Sequence, residues 1–393
     1  MALGPAPGRM DGGVMRHVVS TTVTGAVLVL SGLLAGCGGG PSAEDLATVD
    51  YTPAATDGWE VSTPAEHDLD PDAVAELYWR AGQLESIYSL LVVKDGALVG
   101  EEYFHAGQPE QKALLQSATK SITGALVGIA IDQGCLPGVD EPMMTYFPEL
   151  ADQVQDPRTN DITIGQLLQH RAGYAWEESS DELLALLYEG FLPDNRAVVE
   201  WPLVRDPGSG HDYSSLSSHL LSVIVSRACE TDLLDFANEY LFGPLGIVPG
   251  VWIKDWEGYR FGAGEVHLRS RDMARFGQLF LDEGVADGEQ LLPASWIADS
   301  WTPYTEGAWY HKVGDNFDRT AYGYQWWIID AGPHTYYLAW GHGGQQIAVL
   351  PELDMVIVVT ADPLDGEFGG NAGALENANL NLVADFIAEL PPA

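Results

Sequence analysis

The stretch LLQSATKSITGA, from Leu114 to Ala125, sets a hydroxyl and an amine three residues apart at the start of an apolar helix. Residues at that spacing share one face of a helix, so we predict that Ser117 and Lys120 lie side by side. A serine hydroxyl needs a base to remove its proton before it can attack a carbonyl. A partly buried lysine can be that base, because desolvation disfavours the ammonium form. The pair is therefore a candidate nucleophile and base.

An ordinary structural role explains the same two residues. Ser117 would cap the helix, and Lys120 would be a charge on the protein surface. A short motif of this kind also arises by chance, even in a chain with only five lysines. The rest of the sequence has to decide between the two interpretations.

The composition of the 393-residue chain is that of a globular protein with ample material for a core. Hydrophobic residues make up 46% of the chain, which allows one large domain or two. The formal charge is 18 − 57 = −39, whereas nucleic acids and anionic membrane surfaces are bound through cationic patches. We therefore expect no nucleic acid as a partner, and membrane contact only through a lipid anchor.

The N-terminal segment has the three parts of an export signal. Two arginines precede an apolar run, Val18 to Leu34, which ends in Leu34-Ala35-Gly36-Cys37. That ending resembles the lipobox of bacterial lipoproteins, in which the cysteine is lipidated and becomes the new N-terminus. We predict a signal peptide over residues 1–36, a lipid anchor on Cys37 and an extracytoplasmic location. The alternatives are an uncleaved anchor and a plain secretory signal that releases the protein.

After Cys37, a glycine-rich stretch begins a predicted flexible tether, residues 37–66, which leads to a hydrolase-sized domain over residues 67–393. Two further cysteines, Cys135 and Cys229, each end a predicted helix. Outside the cytoplasm such a pair can be oxidised, but free buried thiols are an equal alternative. Sequence spacing does not choose between them, because a disulfide depends on geometry.

Hydrophobic patterning predicts strands at both ends of this domain and helices between them. The predicted strands are Ser89–Val93, Ala97–Phe104, Tyr322–Ile329, His334–Trp340, Gln345–Leu350 and Met355–Thr360. The predicted helices are Ala73–Leu84, Ser117–Gly134, Ile164–His170, Glu182–Tyr188, Ser217–Cys229, Leu233–Leu241, Arg271–Glu283 and Ala374–Leu390. We expect an α+β fold, in which both chain ends form one antiparallel sheet flanked by helices. A mostly helical lobe, about residues 135–293, is inserted into this sheet.

A second polar cluster, His211-Asp212-Tyr213-Ser214-Ser215, directly precedes a predicted helix. A tyrosine at such a position is most often a structural hydrogen-bonding group. A phenol beside a cationic lysine, however, loses its proton more easily and can act as a general base. Tyr213 is therefore a second candidate for proton transfer.

A third cluster, Trp340-Gly341-His342-Gly343-Gly344-Gln345, begins a predicted strand. Glycines on both sides of a histidine leave the backbone open to a ligand. Taken alone, the cluster is equally typical of a glycine-rich turn before an edge strand. Its meaning depends on the other two clusters.

Together the three clusters resemble, in order and approximate separation, the serine β-lactamase and penicillin-binding-protein superfamily. The chain is most similar to the class C β-lactamase-like branch, which includes carboxypeptidases, esterases and 6-aminohexanoate-dimer hydrolases. The segment Ile164–Tyr174 resembles the LLxHxSG stretch of that branch. The resemblance covers about residues 68–390 and implies the fold described above.

The resemblance implies a role for each matched residue. Ser117 would be the acylated nucleophile, Lys120 its activating partner and Tyr213 the base that relays a proton. The backbone N–H groups of Ser117 and Gln345 would form the oxyanion hole. No metal ion or other cofactor is implied. The implied substrate-binding residues are Ser215, His342, Gly343 and Gly344.

Two departures from the family pattern concern the substrate. The usual Tyr-x-Asn is Tyr213-Ser214-Ser215, and His342 replaces the lysine of Lys-Thr-Gly. The second change removes a permanent cation that binds substrate carboxylates. Both weaken the case for β-lactams or D-alanyl-D-alanine and favour esters or small amides with a neutral acyl group.

The leading hypothesis is a lipid-anchored serine hydrolase that cleaves a small-molecule ester or amide through an acyl-enzyme on Ser117. A second hypothesis within the same fold is a D-alanyl-D-alanine carboxypeptidase, a D-peptidase or a β-lactamase acting on cell-wall-type substrates. A third, from another class, is a catalytically silent anchored binding protein. The presence of Ser117, Lys120 and Tyr213 together argues against the third.

Overall fold

The computed structural model describes residues 40–176, 195–308, 316–364 and 372–392. The predicted signal peptide, the predicted lipidation site Cys37 and the predicted helix Glu182–Tyr188 lie outside the described residues. No helix within the described ranges is long and apolar enough to cross a membrane.

The centre of the fold is an eight-stranded antiparallel sheet with the strand order β2-β1-β12-β11-β10-β9-β8-β7. Its strands are β1 Ile87–Lys94, β2 Ala97–Tyr103, β7 Thr305–Glu306, β8 Arg319–Tyr322, β9 Trp327–Ala331, β10 His334–Gly341, β11 Gln345–Leu350 and β12 Met355–Ala361. Strand β1 pairs with β12, with Leu90 opposite Val359, so the two ends of the chain meet inside one sheet. The predicted α+β fold is confirmed.

Ten α-helices lie in the described residues. They are α1 Ala43–Leu46, α2 Pro71–Gly82, α3 Thr119–Asp132, α4 Ile164–Leu168, α5 Ala197–Glu200, α6 Ser215–Ala228, α7 Leu233–Ala237, α8 Ser270–Leu281, α9 Ala294–Ser300 and α10 Ala372–Glu389. Short 3₁₀ turns occupy Pro64–His67, Gln116–Ala118, Met143–Tyr146, Pro148–Gln153, Pro157–Asp161 and Pro351–Leu353, and a π-helical turn occupies Asn238–Phe242. Two further strand pairs, β3 Ala113–Leu114 with β4 His267–Leu268 and β5 Val285–Ala286 with β6 Glu289–Gln290, lie outside the main sheet.

Both faces of the sheet are covered, which explains why its strands are apolar throughout. In β1, Leu91 and Val93 point into the larger core, which they share with residues of α3, α6 and α8. Leu90 and Val92 point into the smaller core, with residues of α2 and α10. This alternation follows from the two-residue period of a strand, in which neighbouring side chains face opposite sides.

One predicted strand, Tyr322–Ile329, is wrong, because the chain turns inside it. Strand β8 ends at Tyr322 and β9 begins at Trp327. Gly323 passes so close to the backbone of α9 that a Cβ there would lie 1.9 Å from the Ser300 carbonyl oxygen. Gln325 then adopts a left-handed backbone with φ 61°. Aromatic residues on both sides hide this turn in the sequence.

The predicted helical lobe, residues 135–293, is wrong in one respect: it includes helix α8, which packs on the sheet. The described part of that range is mostly helical, but α8 packs directly on strands β1, β11 and β12. Gly277 permits this approach, since a Cβ there would lie 2.6 Å from Val356 and 2.9 Å from Ile347. Helix α8 therefore belongs to the layer that covers the sheet.

The predicted flexible tether, residues 37–66, is also corrected in its described part. From Pro41 onward the chain belongs to the compact unit of the domain. The ring of Tyr51 stacks on Tyr78 of α2, with centroids 5.0 Å apart. The N–H of Leu98 donates to the Glu60 carbonyl at 2.8 Å, and Arg271 of α8 donates to the Thr56 carbonyl at 2.8 Å. These contacts attach the segment to the domain, although its composition is typical of a flexible linker.

Cys135 and Cys229 form a disulfide, with their Cα atoms 5.1 Å apart. Cys135 follows the end of α3 and Cys229 follows the end of α6. The structure thus decides between the two alternatives that the sequence left open. The bridge joins the ends of these helices that lie opposite the candidate active site.

Candidate active site

Ser117 lies in the 3₁₀ turn Gln116–Ala118, directly before helix α3. The turn is held at its start by a hydrogen bond from the Leu115 N–H to the Val266 carbonyl at 2.9 Å. Gln116 has the left-handed backbone angle φ 49°, an uncommon conformation for a residue other than glycine. Ser117 itself makes no capping hydrogen bond to the helix and is partly exposed. The structure therefore does not support the interpretation of Ser117 as a helix cap.

Lys120 is buried, with 1% of its surface exposed, so it is not a surface charge. Its Nζ atom lies 2.9 Å from Ser117 Oγ, 3.1 Å from Ser215 Oγ and 3.0 Å from the Ala263 carbonyl oxygen. It also lies 4.9 Å from the ring centroid of Tyr213. A neutral amine has two N–H groups and one lone pair. These neighbours can accept both N–H groups and leave the lone pair for the Ser117 hydroxyl proton.

Tyr213 is held in a group of aromatic rings at the start of α6. Its ring lies 4.7 Å from the ring of His170 and is stacked on Trp327 at 5.3 Å. The next residue, Ser214, caps α6 by accepting the Ser217 N–H at 3.0 Å. The helix cap and the ring packing together place the phenol beside Lys120.

His170 lies in the segment that resembles LLxHxSG, and its ring packs against the ring of Tyr213. Its Nδ1 accepts the Ser214 N–H at 3.1 Å, so the hydrogen-bond network assigns the proton to Nε2, which lies 3.1 Å from the Tyr322 hydroxyl. Burial, with smaller contributions from the charges of His211 and Lys120, holds the pKa of His170 well below its usual range. The imidazole is neutral at physiological pH. The sequence analysis did not name His170 as a site residue, although its position in the segment that resembles LLxHxSG could have identified it.

The turn between β10 and β11, residues 341–345, lies against the nucleophile. A Cβ on Gly341 would lie 2.1 Å from the Leu115 carbonyl oxygen, so no other residue fits there. The Gln345 side chain is fixed by two hydrogen bonds to the Ala361 backbone, at 2.8 and 3.0 Å. Any contact of Gln345 with a reacting group therefore falls to its backbone N–H, as the predicted oxyanion hole requires.

Gly343 and Gly344 are required by the backbone of this turn. Both have left-handed angles, φ 80° and φ 89°. A Cβ on Gly343 would lie 2.6 Å from Pro363 Cα, and one on Gly344 would lie 2.5 Å from Asn379 Cβ. Conformation and close packing account for both glycines. Their predicted role in substrate binding stays a prediction.

His342 is paired with a carboxylate that the sequence analysis missed. Its Nδ1 lies 2.8 Å from Glu376 Oε2, and the Gly343 N–H donates to the same oxygen at 3.2 Å. The other oxygen, Oε1, accepts the Trp340 indole N–H at 2.7 Å. The pair carries no net charge when His342 is protonated and one negative charge when it is neutral. The site thus lacks a net positive charge at the position where the resemblance implies a lysine.

Ser215 is the first residue of α6 and is 4% exposed, and its Oγ lies 3.1 Å from Lys120 Nζ. This contact supports the lysine, and the predicted role of Ser215 in substrate binding stays a prediction. Among the described residues, no three His, Cys, Asp or Glu side chains gather as a metal site would require.

The site has two parts, which we name by how they are built. The helix half comprises Ser117, Lys120, Tyr213, Ser215 and Ala263. The turn half comprises residues 341–345 with Glu376. The structure brings all the predicted site residues except the undescribed Cys37 into these two parts.

The sequence and the fold match known proteins. A family model described as beta-lactamase matches residues 78–379. The chain belongs to the beta-lactamase family. It is 28% identical over 327 residues to the 6-aminohexanoate-dimer hydrolase of Paenarthrobacter ureafaciens, which covers 78% of this chain and 81% of that protein. The predicted family and the predicted hydrolase class are confirmed, since the relatives are serine hydrolases of this family.

Solved structures share the fold. The penicillin-binding protein from Bacillus halodurans aligns with a TM-score of 0.58 at 16% identity, over 80% of this chain and 100% of that one. EstCE1, described as a hydrolase with promiscuous acyltransferase activity, aligns with a TM-score of 0.58 at 15% identity, over 79% of this chain and 98% of that one. At these identities the likeness concerns architecture alone.

Proposed function

We propose that this protein hydrolyses a small-molecule ester or amide through an acyl-enzyme on Ser117. The observation that carries the proposal is the buried amine of Lys120, 2.9 Å from the Ser117 hydroxyl. In a beta-lactamase family member, a lysine in that position is suited to take the hydroxyl proton. The 6-aminohexanoate-dimer hydrolase relative supports an amide or ester bond as the target.

The reaction proceeds in two steps. Lys120 accepts the proton of Ser117 Oγ as this oxygen attacks the substrate carbonyl. The negative charge on the carbonyl oxygen is stabilised by the backbone N–H groups of Ser117 and Gln345. Tyr213 passes a proton to the leaving group, which departs as an alcohol or amine. Tyr213 then removes a proton from water, and the resulting hydroxide attacks the acyl carbonyl. The bond to Ser117 Oγ breaks, the acid leaves, and Lys120 returns its proton to Ser117.

The turn half favours a substrate without a carboxylate near the scissile bond. The His342–Glu376 pair offers no net positive charge, so an anionic group would meet no counter-ion there. Desolvating an unpaired carboxylate costs several kcal/mol. We infer a neutral acyl group.

Burst kinetics with p-nitrophenyl esters test the acyl-enzyme. We expect a rapid release of one nitrophenol per enzyme, followed by slower turnover. Ser117→Ala should abolish the burst and lower kcat/KM by at least about 10³-fold, because the nucleophile is removed. Ser209→Ala, at an exposed serine, is the control and should behave like the wild type. A Ser117→Ala variant with full activity would refute the assignment.

A second candidate activity is that of a D-alanyl-D-alanine carboxypeptidase, a D-peptidase or a β-lactamase. The family description and the shared fold of the Bacillus halodurans penicillin-binding protein favour keeping it. Acylation of Ser117 by penicillin, or release of D-alanine from D-alanyl-D-alanine peptides, would select it over the ester or amide substrate. Failure to form any acyl-enzyme would instead revive the silent binding protein.

We propose that the enzyme acts outside the cytoplasm, anchored by a lipid on Cys37. The Leu34-Ala35-Gly36-Cys37 ending supports this location, and so does the Cys135–Cys229 disulfide, because such bonds persist in oxidising compartments. Mass spectrometry of the mature N-terminus is the test. A chain that starts at an acylated Cys37 is expected, and an unmodified Cys37 would contradict the anchor.

A further inference from the structure

A buried histidine–aspartate pair lies beside the site and takes no part in the mechanism above. His219 Nε2 lies 3.0 Å from Asp255 Oδ2, and both side chains are completely buried. Burying such polar groups costs free energy that their contacts must offset. The loop that contains Gly262 and Ala263 connects this pair with Lys120.

Asp255 organises the loop on which it lies. Its Oδ1 accepts the N–H groups of Glu257 at 2.9 Å and Tyr259 at 2.8 Å. Burial raises the pKa of Asp255, but the hydrogen bond from His219 and these backbone N–H groups lower it overall below its ordinary value. The carboxylate is ionised, so His219 Nε2 carries the proton that it donates to Asp255. The Gly262 N–H, which can only donate, lies 3.4 Å from His219 Nδ1, so this nitrogen is the acceptor of the contact.

The same loop ends at the catalytic lysine. The Gly262 carbonyl accepts the Thr123 hydroxyl of α3 at 2.7 Å, and the Ala263 carbonyl accepts Lys120 Nζ at 3.0 Å. Gly262 is wedged against α6, where a Cβ would lie 2.5 Å from Ser222 Cβ. Gly262, the residue before Ala263, is therefore held to α3 through its carbonyl by Thr123 and contacts His219 of α6 through its N–H.

The Ala263 carbonyl differs from the other oxygen atoms around Lys120 Nζ in its hydrogen-bonding capacity. The hydroxyls of Ser117 and Ser215 can each donate or accept, whereas a carbonyl only accepts. It therefore fixes the direction of one N–H of the neutral amine, and with it the direction of the lone pair. A displacement of about 1 Å in such a group can cost about 100-fold in rate.

We propose that His219 and Asp255 are positioning residues for the reaction. They fix the Ala263 carbonyl, which aims the lone pair of Lys120 at the Ser117 hydroxyl. This inference rests on the proposed role of Lys120 as the group that activates Ser117.

The Asp255→Asn variant tests the proposal with almost no change in shape. An amide N–H facing His219 Nε2–H forces the imidazole proton onto Nδ1, which can then no longer accept the Gly262 N–H. We expect the rate constant of the burst with a p-nitrophenyl ester, which reports acylation, to fall about tenfold, and kcat/KM to fall with it. The rate constant for fluorophosphonate labelling of Ser117 should fall by the same factor.

Asp232→Asn is the matched control, because Asp232 caps the start of α7 and pairs with two residues of the loop that carries Asp255. Asp232 pairs with Lys254 at 2.7 Å and Arg260 at 3.0 Å, but makes no contact with His219. We expect its burst rate constant and labelling rate to stay within about twofold of the wild type. An equal loss in both variants would mean that general loosening of the loop is responsible, and would overturn the proposal. Wild-type rates in Asp255→Asn would overturn it as well.

Two histidine variants decide the matter if Asp255→Asn does not fold. The amide oxygen of His219→Asn lies near the former Nδ1 and keeps an acceptor for Gly262, whereas His219→Gln keeps mainly the contact with Asp255. We expect the Asn variant to retain a burst rate constant several-fold higher than that of the Gln variant, and equal values would contradict the proposal. Failure of the proposed function is distinguishable, because wild-type Ser117 would then not be labelled.

Discussion

The two halves of the site differ in how their polar groups are held. In the helix half, the amine of Lys120 is buried between two helices and a loop, within 3.1 Å of three oxygen atoms. In the turn half, His342 is 35% exposed and depends on Glu376 of the last helix. The helix half holds the predicted nucleophile and both predicted proton-transfer groups, and the turn half holds the histidine that departs from the Lys-Thr-Gly pattern. We therefore expect the buried half to carry the reaction and the more exposed half to select the substrate.

The largest expected effect comes from the centre of the helix half. Lys120→Met keeps much of the side-chain volume but removes the base. We expect kcat/KM for a p-nitrophenyl ester to fall about 10³-fold, because a positioned base contributes that much to proton transfer. Lys254→Met, at a partly exposed lysine, should leave the rate within about twofold. Activity that survives in Lys120→Met would mean that another group activates Ser117.

The disulfide stabilises the helix half from its far end. The double variant Cys135→Ser/Cys229→Ser opens a loop with a sequence separation of 94 residues. We expect the free energy of unfolding in urea to fall by about 2–4 kcal/mol. Activity at 25 °C should change less than twofold, since the bridge lies opposite the site. A large loss of kcat in folded protein would show that the bridge positions the site directly.

Acid should destabilise the folded protein, because it charges histidines that are buried near the helix half. Burial lowers the pKa of His211 to about 4, although a hydrogen bond with the Gln169 carbonyl opposes this shift. The unfolded chain takes up a proton below about pH 6.5, whereas the folded chain does so only near pH 4. The free energy of unfolding should therefore fall by about 3 kcal/mol for this residue as the pH drops through that window. Urea unfolding of His211→Gln should show a correspondingly smaller loss between pH 6.5 and 4.

The smallest expected effect concerns substrate choice in the turn half. The double variant His342→Lys/Glu376→Gln places an uncompensated cation in the turn. We expect kcat/KM for an ester with a carboxylate on its acyl group to rise about tenfold relative to a neutral ester, a change of about 1.4 kcal/mol. Glu376→Gln alone is the control, because it adds no permanent cation. An unchanged ratio would separate the turn half from substrate recognition.

The sequence predicted what depends on local pattern. Ser117 and Lys120 are three residues apart, in the 3₁₀ turn before α3 and in its first turn, and most strands follow hydrophobic runs of the right length. It missed what depends on distant partners. Glu376 is one of 57 acidic residues and lies on the last helix, so no spacing rule connects it with His342.

Two errors of the sequence-based prediction, the strand Tyr322–Ile329 and the flexible tether, have the same cause. The turn at Gly323 exists because of the backbone of α9, and residues 41–66 are ordered by contacts with α2, β2 and α8. Neither signal is present in the local sequence. The pair His219 and Asp255 was likewise invisible, because 36 residues separate them and each type is common.

The most direct test of the central claim is peptide mass spectrometry after labelling with a fluorophosphonate, on the wild type and on Lys120→Met. We predict that the wild type carries one adduct on the peptide that contains Ser117, and that Lys120→Met is labelled far more slowly at the same residue. An adduct on another serine, or ester hydrolysis that continues while Ser117 remains unlabelled, would contradict the account.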